Sequence, residues 1–334
     1  MSAPLKVELK KKPVDIRRRE VTVSLIGETL CSMPADGTLP VDRMIRYWTE
    51  AMDLESSRTP DMFVLPEICD VWLGISPERK LEWLESRGDQ VLTALQDYAQ
   101  RHHAYIVYPT YRDLEGGHHS NCSLLIDREG DLIACYDKAY PTVRDISVGV
   151  IPGHDAVAAE TDFGRLSFAI CFDIYFWEIM ERVAALKPDM IAFSSYCHGG
   201  LFQPIWANRC QAYFLGATVG ALGKDIIGPA GEPLYCERGT FRRVTGKINT
   251  NFAVAYMDFN RERMEAAVAK YGRKFEMRDS IQTGCVTLLS NDPDLPVMEI
   301  VKEFEIELWR DYYARSAAAG ADARAAYLKE FGEK

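Results

Sequence analysis

The chain has 334 residues, 47% hydrophobic and 26% charged, which suits a soluble globular protein with a substantial core. Its formal net charge of −10 argues against a nucleic-acid surface. The nine cysteines are odd in number, scattered and without a C-x-x-C pair, so they read as reduced thiols of a cytoplasmic protein, not as a disulfide scaffold.

Residues 1–19 form a charged arm around Lys10-Lys-Lys12 and Arg17-Arg-Arg19, with no apolar run of the kind a secretory signal needs. Acidic residues within it argue against a mitochondrial presequence. Residues 21–26 are short and β-branched, a buried strand. Residues 41–54 place Met44, Ile45, Trp48, Met52 and Leu54 on one helical face. Residues 62–65 predict a second buried strand, closed by Pro66-Glu67. Residues 81–98 predict one long amphipathic helix with Trp83, Leu84, Val91, Leu92, Leu95 and Tyr98 inward. A third strand follows at 105–108.

Residues 121–126 and 132–136 then flank a turn containing Gly130, a hairpin. His118-His119 and Cys122 lie beside it, but not at zinc-site spacing, and no metal is expected. The apolar strand 166–170 runs into Cys171, followed by a helical pattern that ends at Lys187-Pro188. A cysteine at such a corner would lie near a helix N-terminus, where free N–H groups and the dipole favour a thiolate. Further expectations are a strand at 190–193, a helix at 204–214, a strand at 214–219, a glycine hairpin at 228–233, a strand at 252–256 and a helix at 261–271. No stretch is long and apolar enough to cross a bilayer, and no P-loop or G-x-G-x-x-G follows a strand. No membrane, nucleic-acid or cofactor partner is expected.

Strands alternating with helices, interrupted by hairpins, suggest mixed sheets covered by helices. We expect a charged arm over 1–19, one α/β domain over 20–295 and a tail over 296–334. The tail carries Phe304, Trp309, Tyr312 and Tyr313 and ends in an alanine-rich helix at 317–331. Such aromatic surface packs either on its own domain or on another subunit.

Three strands end at chemically useful residues, in the order Glu67, Lys138, Cys171. If the strands share a sheet edge, the three converge in a crevice. There a carboxylate can move protons, an ammonium can hold an oxyanion and a thiol can attack.

With these residues in place the chain resembles the nitrilase superfamily of carbon–nitrogen hydrolases, in its amidase-like branch. The matching segments are Val64-Leu-Pro-Glu67, Tyr136-Asp-Lys138 with Pro141, Phe163-Gly-Arg-Leu166, Ala169-Ile-Cys171-Phe-Asp173, Lys187-Pro-Asp-Met-Ile-Ala192 and Ile227-Gly-Pro-Ala-Gly-Glu232. The resemblance implies an α/β fold, a four-layer αββα sandwich of mixed sheets covered by helices. It also implies a homodimer or larger homo-oligomer, and a Glu67, Lys138, Cys171 triad acting as base and acid, oxyanion holder and nucleophile. The backbone N–H of Phe172 completes the oxyanion site. The implied reaction cleaves a non-peptide C–N bond of a small aliphatic or aromatic amide through a thioester, releasing ammonia or an amine.

Many relatives place a second glutamate between the lysine and the cysteine. Asp145 and Glu160 are the candidates here, the shorter Asp145 being taken as the possible second acid. Cys171-Phe-Asp173 replaces the Cys-Trp-Glu of nitrile-cleaving relatives. Ile174 and Tyr175 stand where carbamoyl hydrolases carry arginines. Tyr175, Tyr196, His198 and Phe202 are the expected substrate-binding residues, with Trp206 either in the pocket wall or in the core. N-carbamoyl or nitrile hydrolysis, acyl transfer to a non-water acceptor, and a non-catalytic assembly role remain as alternatives.

Overall fold

The structure, a computed structural model, describes residues 5, 7–10, 20–280 and 282–332. It forms two compact units, residues 1–250 and 251–334. The first contains β1 (Glu20–Ile26), α1 (Val41–Ser56), β2 (Met62–Val64), α2 (Pro77–Arg87), α3 (Gln90–His102), β3 (Tyr105–Asp113), β4 (His119–Ile126) and β5 (Leu132–Asp137). It continues with α4 (Val143–Ser147), β6 (Ala158–Thr161), β7 (Gly164–Ile170), α5 (Trp177–Ala185), β8 (Met190–Ser195) and α6 (Phe202–Cys210). β9 (Tyr213–Thr218), β10 (Lys224–Ile227), β11 (Pro233–Glu237) and β12 (Arg243–Asn249) complete it.

Two six-stranded sheets run β12-β1-β2-β3-β4-β5 and β11-β10-β9-β8-β7-β6. In each, three central strands are parallel and the outer ones antiparallel. Central parallel strands are buried on both faces, which is why residues 62–64 and 190–193 are apolar throughout. On the first sheet Met44, Trp48 and Met52 of α1 and Leu92, Leu95 and Tyr98 of α3 pack over Phe63, Ile106 and Leu124. Ile179, Met180 and Val183 of α5 and Trp206 and Cys210 of α6 are buried on the second. Tyr213 Oη donates to the Asn249 carbonyl at 2.9 Å, joining one sheet to the other. The layers are the expected αββα sandwich.

The helix expected over 81–98 is two helices. Gly88, at φ 52°, ends α2, and α3 starts two residues later. The apolar spacing continues across the break, so periodicity alone could not show it. Of the expected arm, only Leu5 and residues 7–10 fall among the described residues. Leu5 is buried in the core and its N–H donates to Asp113 Oδ2 at 2.8 Å.

The second unit holds β13 (Phe252–Tyr256), α7 (Arg261–Tyr271), β14 (Phe275–Ser280), β15 (Cys285–Ser290), α8 (Val297–Glu303) and α9 (Trp309–Phe331). Its antiparallel sheet runs β13-β15-β14, with Ala255, Met264, Phe275, Leu288, Ile300 and Val301 as its core. The aromatic head of α9 packs inside this unit. Trp309 and Tyr312 stack on Tyr256 with ring centroids 5.0 and 5.1 Å away, while the alanine-rich length beyond is largely exposed. Among the described residues no helix is long and apolar enough to cross a membrane.

Candidate active site

β2 runs out through Leu65 and Pro66 to Glu67, β5 ends one residue before Lys138, and β7 ends directly before Cys171. The rims of the two sheets are tied together where Ser194 Oγ donates to the Leu65 carbonyl at 2.8 Å. Lys138 is pinned by its backbone: its N–H donates to the Asn121 carbonyl and its carbonyl accepts from Gly153, both at 2.8 Å. Glycine is required at 153, because a Cβ there would lie 2.2 Å from the Asp137 carbonyl oxygen.

Glu67 and Lys138 meet. Lys138 Nζ donates to Glu67 Oε1 at 2.6 Å, and both side chains are buried. Asn121 Nδ2 donates to the same oxygen at 2.9 Å, and the Tyr196 N–H donates to Oε2 at 3.2 Å. Three donors therefore orient the carboxylate. Burial works against the Lys138 charge, but Glu67 and then Cys171 outweigh it and raise the lysine above its ordinary range.

Cys171 departs from expectation in one respect. Residues Cys171–Tyr175 form a single 3-10 turn, and α5 begins only at Trp177. The thiol is thus six residues from the α-helix N-terminus, beyond the useful reach of its dipole. Its pKa is pushed up, first by a hydrogen bond with Cys197, then by burial and Glu67, against Lys138. The same contact pulls the Cys197 thiol down to about 6.

The turn is sharp. Cys171 has φ 46°, a left-handed conformation that costs a non-glycine residue about 1–2 kcal/mol. Asp173 holds it there. Its Oδ2 accepts from the Ile170 N–H at 2.9 Å and the Tyr136 hydroxyl at 2.7 Å, and its Oδ1 from the Tyr140 N–H at 2.8 Å. Burial pushes this carboxyl up to about 6 against those bonds. Trp206 is core, not pocket wall; it is fully buried and its Nε1 donates to the Ile174 carbonyl at 2.9 Å. Replacing Asp173 with alanine leaves three donors without their acceptor. We expect Asp173→Ala to lose about 3 kcal/mol of stability, since each buried orphan costs roughly 1–3 kcal/mol. Urea unfolding of the two proteins measures it.

Asp145 lies in the first turn of α4, in a capping box with Thr142. Its Oδ2 accepts from the Thr142 N–H at 3.0 Å and Oγ1 at 2.8 Å, and lies 3.9 Å from Lys138 Nζ. The short side chain reaches only the edge of ion-pair distance. Glu160 pairs with Arg165 in an exposed position instead.

Tyr175 is half-exposed and packs edge-on to Phe202 and Phe172, with centroids 4.9 and 5.6 Å away. His198 is engaged at both nitrogens: Nδ1 accepts from the Gly200 N–H at 3.2 Å and Nε2 faces Asp225 Oδ2 at 2.9 Å. That pattern ties down the loop after β8. Tyr196 contributes a backbone N–H to the site, which no side-chain pattern could reveal. Sequence reasoning also missed Asn121, an amide in the polar first half of β4, and Cys197, in a loop whose neighbours Tyr196 and His198 were singled out.

The sequence model of a family described as carbon-nitrogen hydrolase matches residues 33–217. A probable hydrolase, YhcX, of Bacillus subtilis (strain 168) is 26% identical over 152 residues, spanning 44% of this chain and 29% of that protein. The chain therefore matches under a third of that relative's length. The crystal structure of an amidase from Nesterenkonia sp. is similar at a TM-score of 0.61 and 17% identity, covering 71% of this chain and 94% of that one. A mutant of the amidase from Nesterenkonia sp. AN1 in complex with butyramide gives a TM-score of 0.60 at 16% identity, covering 70% and 92%. At these identities the solved structures speak to the fold alone.

Proposed function

From the premise that this chain belongs to the carbon–nitrogen hydrolase family, within the nitrilase superfamily, we propose that it is an amidase that uses Glu67, Lys138 and Cys171 on small neutral amides. The observation that carries the proposal is the buried Lys138–Glu67 pair at 2.6 Å, with Cys171 within electrostatic reach of both.

The division of labour follows from the charges. A thiol whose pKa is raised does not wait as a thiolate, so its proton must leave as it attacks. Glu67, held at both oxygens, accepts that proton. Lys138 stays cationic and faces the oxyanion as the carbonyl becomes tetrahedral, together with the Phe172 N–H. Glu67 then returns the proton to the leaving ammonia or amine. A Cys171 thioester remains, and water activated by Glu67 releases the acid. Asp145 adds negative charge behind Lys138 and helps hold its orientation.

The surroundings favour a neutral substrate. Ile174 is buried, and Tyr175 presents a ring against Phe202, so neither position offers a cation to a substrate carboxylate. Phe172, Tyr175 and Phe202 provide an aromatic wall for an apolar acyl group.

Incubation with acetamide, butyramide, benzamide, their nitriles and N-carbamoyl amino acids, with ammonia as the readout, tests this. Ammonia release from amides, well above that from the other two classes, is expected. Release from N-carbamoyl amino acids or nitriles alone contradicts the substrate class, and no release from any of them contradicts the activity.

A further inference from the structure

Hydrolysis leaves Cys197 without a task, yet its position is built with care. β7 and β8 are parallel neighbours with Ile170 opposite Ser194, so Cys171 leaves one strand where Ser195 ends the other. Past Ser195 the chain folds back. The Cys197 N–H donates to Ser195 Oγ at 2.9 Å, and the Ser195 hydroxyl donates to Cys197 Sγ at 3.6 Å. This turn sets Cys197 on the same rim as Cys171, near enough that each thiol shifts the other's proton affinity. Both cysteines are half-buried, open enough for a small reagent, whereas Cys31, Cys69, Cys122, Cys210 and Cys285 are fully buried.

We propose that Cys171 and Cys197 form a modification site for hydroperoxides, closing an intramolecular disulfide that silences the nucleophile until a thiol reductant reopens it. In the first step a sulfur of the pair attacks the O–O bond of the peroxide. An S–O bond forms, the O–O bond breaks, and the thiol proton leaves with the departing oxygen as alcohol or water. Sulfur is oxidised by two electrons and the peroxide is reduced by two. In the second step the other sulfur attacks the sulfenic sulfur. An S–S bond forms, the S–O bond breaks, and hydroxide leaves with the second thiol proton as water. A dithiol reductant returns two electrons and two protons.

Chemistry and geometry favour the pair over either cysteine alone. The Cys197 thiol is drawn downward by Cys171 and by the Ser195 hydroxyl, which favours its thiolate. The two cysteines follow adjacent parallel strands whose ends, Ile170 and Ser194, are register partners, so a small adjustment of the loop after Ser195 can bring the sulfurs to bonding distance. A sulfenic acid formed here meets its resolving thiol at once, ahead of further and irreversible oxidation.

The inhibition rests on the amidase proposal above; the disulfide itself does not. The test treats the reduced full-length chain with about equimolar hydrogen peroxide, blocks remaining thiols with N-ethylmaleimide in acid, and maps peptides by mass. A linked peptide joining Cys171 and Cys197, at a mass two hydrogens below the reduced pair, is expected. Amidase activity should fall in step by roughly tenfold or more and return with dithiothreitol. In Cys197→Ser the linked peptide vanishes and activity no longer falls at about equimolar peroxide, because the reactive sulfur is gone. The proposal is overturned if no Cys171–Cys197 peptide forms. It is also overturned if the loss tracks a link between Cys122 and Cys135, whose sulfurs lie within 4.8 Å of each other, or if Cys197→Ser loses and regains activity as the parent does. A linked peptide in a protein that releases no ammonia from any amide sinks the amidase proposal and leaves this one standing; ammonia release without the link does the reverse.

Discussion

Cys171→Ala is expected to abolish amide turnover, by about 10³-fold or more, with the fold intact. The side chain is half-buried at the rim and alanine removes one sulfur, so the cavity cost is small beside that of a core truncation. The left-handed φ of 46° is retained, because Asp173 and the backbone around it impose the turn. On the proposed mechanism, what disappears is the sulfur that accepts the acyl group. Neither Glu67 nor Lys138 can substitute, since each is committed to the other at 2.6 Å. Cys197 lies beside the vacated place, but its sulfur approaches from β8 and not from the turn that presents Phe172. Circular dichroism and ammonia release on the same samples decide the matter. An unchanged rate in a folded Cys171→Ala protein would move the chemistry elsewhere.

Lys138→Met should damage both activity and stability. The ammonium sits against a buried carboxylate, and removing one partner of such a pair typically costs about 3–5 kcal/mol because the other is left uncompensated. Asn121 and the Tyr196 N–H still hold Glu67, which moderates the loss without replacing the charge. Turnover should fall by about 10²–10³-fold, the usual loss of one oxyanion donor. The double variant Glu67→Gln/Lys138→Met has no buried charge left at this place. It should regain most of the lost stability while staying inactive. Chemical unfolding of the wild type, both single variants and the double variant closes the cycle. Additive losses would mean that the pair is not coupled.

Glu67, Lys138 and Cys171 could be singled out because each follows an apolar run, and the structure brings Glu67 and Lys138 together. Residues 62–64 and 166–170 are strands buried between layers, which advertise themselves through continuous apolar sequence, whereas 132–136 is an edge strand with alternating burial that still reads as a short apolar run. The layers were legible for the same reason. What escaped lies where the pattern weakens. β12, with Arg243 and Lys247 in its sequence, is an edge strand half open to solvent and reads as a loop. β14, Phe275–Ser280, alternates charged residues with apolar ones and carries little signal. The start of α9 at Trp309, well before its alanine run, is masked by aromatic residues that also suit strands.

The local conformation of Cys171 was not legible either. A strand followed by helical spacing implies a helix starting at the corner, but the five residues Cys171–Tyr175 form a 3-10 turn first. That difference moves the thiol off the helix dipole, and on the proposed mechanism it attacks as a thiol that needs a base and not as a standing thiolate. Nor could one sequence show that Ser195 bends the chain to bring Cys197 against Cys171. Contacts between strand tips depend on register, which a linear reading does not supply.

The most direct measurement traps the intermediate. Wild-type protein is mixed with a butyramide-class amide, quenched in acid within the turnover time, digested and mapped by mass. The account predicts an acyl group on the peptide containing Cys171, absent when Cys171 is alanine and appearing before free acid accumulates. Steady amide hydrolysis with no acyl group on that peptide at any time, or with the acyl group on another residue, would contradict it.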